Sequence, residues 1–144
     1  MHRVVVAVAL ALGAAALVAP SRAYAFGGEK VDAHVPFAFR VDGVRLPAGE
    51  YVIRRVDYLE PNLLRITSRY GVEEAFFMTD NASPVRPVRV PKLVFDQYGT
   101  QRFLHAIWLP DDTGAVVRVS PTEVLTARNM ALERAGRPMA RKGR

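Results

Sequence analysis

The chain has 144 residues, no cysteine, and a formal net charge of +6 from 20 Lys and Arg against 14 Asp and Glu. The lack of cysteine excludes a disulfide scaffold, thiolate metal sites and thiol nucleophiles, so a fold of this size rests on a single apolar core. Five basic residues crowd the last eleven positions, while the stretch 26–133 holds 13 basic and 14 acidic groups, a near-neutral balance that argues against the clustered positive face nucleic-acid binding needs.

Met1-His2-Arg3 places a positive charge ahead of an apolar run from Val4 to Ala19, and Pro20 ends that run. The run is shorter than the roughly 20 residues a membrane-spanning helix needs. Ser21-Arg22-Ala23-Tyr24-Ala25 then offers small residues at alternate positions. This is the pattern of a signal peptide over residues 1–25, with cleavage before Phe26. The expectation is an exported protein, periplasmic or extracellular, whose mature chain has no transmembrane segment. An uncleaved N-terminal anchor is the alternative.

From Val31 to Val41 the odd positions are Val31, Ala33, Val35, Phe37, Phe39 and Val41, a period of two that predicts a strand with one buried face. Pro36 puts it at an edge or bulge. Asp42-Gly43 predicts a two-residue hairpin turn into Val44 to Leu46. Pro47-Ala48-Gly49-Glu50 is the next turn, followed by strands over 51–56 and 63–68 with a break at Glu60-Pro61-Asn62. A strand over 73–79 carries apolar residues on both faces, which predicts a central position covered on both sides.

Residues 80–91 contain Pro84, Pro87 and Pro91 and read as the longest loop. A hairpin around Gly99-Thr100 joins strands over 92–98 and 101–109, and a short strand follows over 115–119. Ser120-Pro121-Thr122-Glu123 is a capping box with Pro at the first helical position, and it opens a helix over 121–135. Val124, Leu125, Ala131, Leu132 and Ala135 form a narrow apolar stripe that should lie on the β body.

Four blocks, Val35-Pro36-Phe37-x-Phe39-x-Val41, Leu46-Pro47-Ala48-Gly49-x-Tyr51-x-Ile53, Lys92-Leu93-Val94-Phe95-x-x-Tyr98-Gly99 and Phe103-Leu104-x-x-Ile107-Trp108, together resemble a family of small exported bacterial proteins abundant in acidobacteria. The resemblance covers about residues 31 to 135. It implies the architecture of signal peptide, β body and charged C-terminal helix, and it implies no catalytic residue.

Asp112-Thr113-Gly114-Ala115 resembles the active-site loop of aspartic proteases, whose chemistry needs two carboxylates sharing a proton. Pro110-Asp111 makes its approach a polar turn, so the ordinary turn is the favoured reading. The mature chain has two histidines, His34 and His105, on different strands without metal-ligand spacing. Asp111 and Asp112 supply too few oxygens for calcium. Ser68, Ser83 and Ser120 lack a nucleophile elbow. Twelve aromatic residues of the mature chain build either a solid core or a ligand-lined cavity.

The sequence therefore predicts a mainly β fold: a small antiparallel barrel or sandwich of about seven or eight strands with one C-terminal α-helix, after a cleaved signal peptide. Residues 26–136 form the single domain. Residues 137–144 form a basic tail in which Arg137, Arg141, Lys142 and Arg144 suit contact with an anionic surface. No catalytic, cofactor or metal residue is assigned. The functional expectation is a non-enzymatic binding or structural module; a carrier of a small apolar ligand comes second, and an aspartic-protease-like enzyme a distant third.

Overall fold

The computed structural model describes residues 8–11, 14–22 and 30–136. The cleavage region Ala23–Ala25 and the basic tail 137–144 lie outside the described residues. The chain is mainly β, with strands β1 (Val8–Ala11), β2 (Ala14–Arg22), β3 (Lys30–Val35), β4 (Phe39–Val41), β5 (Val44–Leu46), β6 (Gly49–Arg55), β7 (Leu63–Ser68), β8 (Glu74–Ala82), β9 (Lys92–Tyr98), β10 (Gln101–Trp108) and β11 (Gly114–Val117), then helix α1 (Pro121–Gly136).

The nine strands from Lys30 to Val117 curl around one core, and they do not close into a barrel by themselves. Their main path runs β3-β6-β7-β8-β11-β10-β9, each strand antiparallel to the next. The β4–β5 hairpin sits beside the first half of β10, with Phe103 paired to Arg40 in parallel. Its turn is the two-residue type that Asp-Gly predicts, with φ +46 at Asp42 and +79 at Gly43.

The period-two run 31–41 is not one strand. Pro36 has no amide hydrogen to donate, and the chain bends over residues 36–38, so β3 pairs with β6 while β4 pairs with β10 and β5. The alternation survives the bend: Val31, Ala33, Val35, Phe39 and Val41 are all buried. The inner faces meet in a core of aromatic and branched residues. Phe39 stacks edge-to-face on Tyr51 (ring centroids 5.2 Å apart) and on Phe95 (5.4 Å), and Phe37 does the same to Phe95 (5.0 Å). The Tyr51 hydroxyl donates to the Pro47 carbonyl. That bond ties β6 to the corner before it and gives the Leu-Pro-Ala-Gly-x-Tyr block a structural reason. Burial pushes the Tyr51 phenol up to about 12, with Glu73 adding to the effect.

Two further sequence expectations need correction. Strand β8 is not covered on both sides: Ala75, Phe77 and Thr79 are buried, while Phe76 on the other face is 46% exposed. The helix has the expected bounds, but its apolar stripe does not lie on the body. Val124, Leu125 and Leu132 are 54%, 57% and 61% exposed, and Glu123 is the buried helical residue. The first turn docks through Glu123, and Met130 in the third turn reaches Gly99. The stripe is too narrow to cover a sheet face, and a polar contact anchors the helix instead. Leu125→Ser and Leu132→Ser should accordingly shift stability by no more than about 0.5 kcal/mol, as exposed substitutions do; urea unfolding of each variant is the check.

Candidate functional site

Three places on this body combine unusual chemistry or geometry. The first lies under the start of α1. Along β10 the pairing with β9 passes from Leu104 opposite Phe95 to Ala106 opposite Val94, which leaves His105 as an extra residue in a β-bulge. The bulge turns His105 outward, and its Nδ1 lies 2.9 Å from Asp96 Oδ2. Phe103-Leu104 and Ala106-Ile107, buried pairs on either side of His105, are the sequence signal of this break in alternation.

Above this pair sits Glu123. Its amide donates to Ser120 Oγ at 3.2 Å, which is half of the expected capping box. The carboxylate does a different job from the one the box assigns: it accepts a hydrogen bond from the Tyr98 hydroxyl at 3.3 Å. Burial first, and then the Asp96 charge, push the Glu123 carboxyl up to about 7. Tyr98 is raised to about 12, by burial and by Glu123. The hydrogen bond that the ring donates to Asp96 raises His105 above its ordinary value. Burial thus favours the neutral form of Glu123, which sits beside the His105–Asp96 pair.

The second place is the Asp112-Thr113-Gly114 loop. The Leu109 amide donates to the Thr113 carbonyl at 2.8 Å, and Asp111 Oδ1 accepts from the Thr113 amide at 3.1 Å and from its hydroxyl. That hydroxyl bond holds the Asp111 carboxyl below its usual range. Asp112 occupies the left-handed region at φ +61, a conformation Asp tolerates better than most residues. Gly114 has a packing reason of its own: a Cβ there would stand 2.2 Å from a ring carbon of Trp108 and 2.6 Å from the Ile107 carbonyl. Asp112 and Thr113 therefore serve a turn, while Gly114 and Ala115 open strand β11. The loop borders a cleft of about 530 Å³ lined in part by Arg55, Leu64, Thr79, Asn81, Asp111 and Ala115.

The third place is the seam between the two ends of the curled sheet. Strands β3 and β9 are the first and last of seven successive antiparallel strands, so they run in the same direction. In this structure β2 lies between them. Leu17, Val18, Ala19 and Pro20 pair with Phe95, Val94, Leu93 and Lys92 of β9. Ser21 and Arg22 pair with Ala33 and Asp32 of β3. Both pairings are antiparallel. With the seven strands of the main path, β2 is the eighth in an antiparallel succession, and β1 pairs with its first half.

No protein-family model, curated protein or solved structure matches this chain. The site chemistry therefore stands on the residues alone. His34, on β3, lies with Nδ1 2.8 Å from Glu50 Oε1 at the surface, and β3 and β10 are not neighbours in the sheet, so the fold does not bring the two histidines onto adjacent strands. Among the described residues no group of three His, Asp or Glu side chains is placed to hold a metal ion. Sequence reasoning found Glu123 as a helix cap and His105 as a strand residue; it missed that they meet around Asp96 and Tyr98. It missed the seam altogether.

Proposed function

We propose that this chain is an exported, non-enzymatic β module that works by binding at its surface. The observation that supports a surface role over a carrier role is the filling of the interior: Phe39, Tyr51, Phe77, Phe95 and Phe103 are buried, and several are stacked on one another. Side chains of this size occupy the space that a small barrel would otherwise give to a ligand. The cleft beside the 111–115 loop mixes Arg55, Asn81 and Asp111 with Pro61, Leu64 and Ala115 in its wall. Export is supported by the basic start, the apolar run Val4–Ala19 and the Ala23-x-Ala25 frame.

Protein purified from its own host, analysed by native mass spectrometry, tests both parts. The expected result is the mass of the polypeptide from Phe26 with no compound bound at one per chain. A copurifying apolar compound at that ratio would overturn the surface role in favour of the carrier. A mass beginning at Met1 would overturn export with cleavage.

A further inference from the structure

We propose that the seam between β3 and β9 is a strand-accepting site, and that its partner is an extended apolar segment of another polypeptide, laid antiparallel to both edges. The proposal rests on the export reading, because removal of residues 1–25 is what vacates the seam.

The geometry sets the requirement. Neighbouring strands lie about 4.8 Å apart, so taking β2 away leaves β3 and β9 about twice that distance apart, beyond the reach of any direct N–H···O bond. The two edges also run in the same direction, so drawing them together would demand a parallel pairing with a new register. A single inserted strand running opposite to both bonds first to β9 and then to β3, as residues 17–20 and 21–22 do here, with β1 paired to residues 14–17. Unpaired edges of this length are templates for another chain, and addition of a strand to an exposed edge is a recurring mode of peptide recognition.

The chemistry of the guest follows from the segment that fits. The register places Leu17 to Pro20 along β9 and Ser21 with Arg22 along β3, within the sequence Ala-Ala-Ala-Leu-Val-Ala-Pro-Ser-Arg. It has no acid, and it is built of small and branched apolar residues until its last two positions. The flanking edges bury Val31, Ala33 and Val35 from β3 and Leu93 and Phe95 from β9, so every second residue of a guest meets an apolar interior. The fitting partner is a strand of about six residues, apolar along most of its length. The chain's own tail 137–144, with four basic residues among eight, lacks that apolar stretch.

The test uses exported protein with its N-terminus established by mass, and a synthetic peptide of the sequence of residues 14–22. Saturable binding is expected, with a rise of several degrees in the melting temperature and at least tenfold slower hydrogen exchange at β9 amides. The same peptide with Val18→Pro, which removes an amide in the middle of the strand, should bind at least tenfold more weakly. A chain that folds only when the peptide is added supports the proposal equally. Unchanged exchange at saturating peptide, or equal binding of the proline peptide, would overturn it. So would a dimer of exported chains joined edge to edge, which would make the occupant a second copy. A retained residue 1–25 segment would be visible in the mass before any peptide is added, and it would remove the export premise without touching the peptide result obtained on chain cut before Phe26.

Discussion

Phe95→Ala is expected to cost about 3 to 5 kcal/mol, the range for deleting a buried aromatic ring from a core that cannot collapse around the hole. Phe95 is fully buried and is the ring on which both Phe37 and Phe39 stack, and Phe39 in turn meets Tyr51. Losing it removes two edge-to-face contacts and opens the wall next to the seam. Against a typical domain stability of 5 to 15 kcal/mol, such a loss leaves the protein marginal. Urea unfolding of the variant should show a midpoint lowered in proportion, whereas a change under about 1 kcal/mol would mean that the interior is less tightly filled than these contacts imply.

The Glu123 cluster makes stability fall as pH rises, opposite to the behaviour of most carboxylates. An acid whose folded pKa of about 7 lies above its ordinary value of 4.5 holds its proton more tightly in the native state. The stability this confers is complete below pH 4.5 and is lost as pH rises through about 7. His105 acts in the same sense: its folded pKa is raised above 6.5, so its contribution is present below 6.5 and is lost as pH climbs through the higher folded value. The groups facing Glu123 are Tyr98 and Asp96 from β9 and His105 from β10. Thermal unfolding should therefore show a higher melting temperature at pH 5 than at pH 8. Glu123→Gln keeps an acceptor for Tyr98 and has no charge to bury, so it should gain about 1 to 2 kcal/mol at pH 8 and little at pH 5. A parent protein that melts higher at pH 8 than at pH 5, or a Gln variant with the same slope as the parent, would contradict this assignment.

Local rules explain why so much of the β body is legible in the sequence. The alternation of Val31, Ala33 and Val35, the Asp42-Gly43 turn, the Gly99 turn at φ +62 and the Ser120 cap each need only residues close in the chain. The errors come from forces acting across the sheet. Val31 to Val41 keeps its period through Pro36, so nothing in the pattern reveals that the halves serve different partners. The helix stripe has the right spacing, yet Val124, Leu125 and Leu132 stay exposed because the docking contact is made by Glu123. His105 looks like an ordinary strand residue until the bulge in β10 turns it toward Asp96.

The seam was the least legible feature, for a different reason. Residues 14–22 carry the composition of a leader, and composition decides how a leader is read. Their strand pairing depends on residues more than seventy positions away, at Lys92 to Phe95. An odd number of body strands is visible only after the topology is known. The structure thus makes one segment serve two descriptions: an apolar leader in the sequence, and a strand that pairs with both β9 and β3.

Hydrogen exchange along β9, compared between the full chain and the exported chain, tests the open seam most directly. Amides of Leu93 to Phe95 that point away from β10 should be protected in the full chain, where β2 pairs with them, and should exchange at least tenfold faster in the exported chain. Equal protection in the two forms, with the exported chain monomeric and free of bound peptide, would mean that β3 and β9 seal the gap themselves, and the surface that the account assigns to binding would not exist.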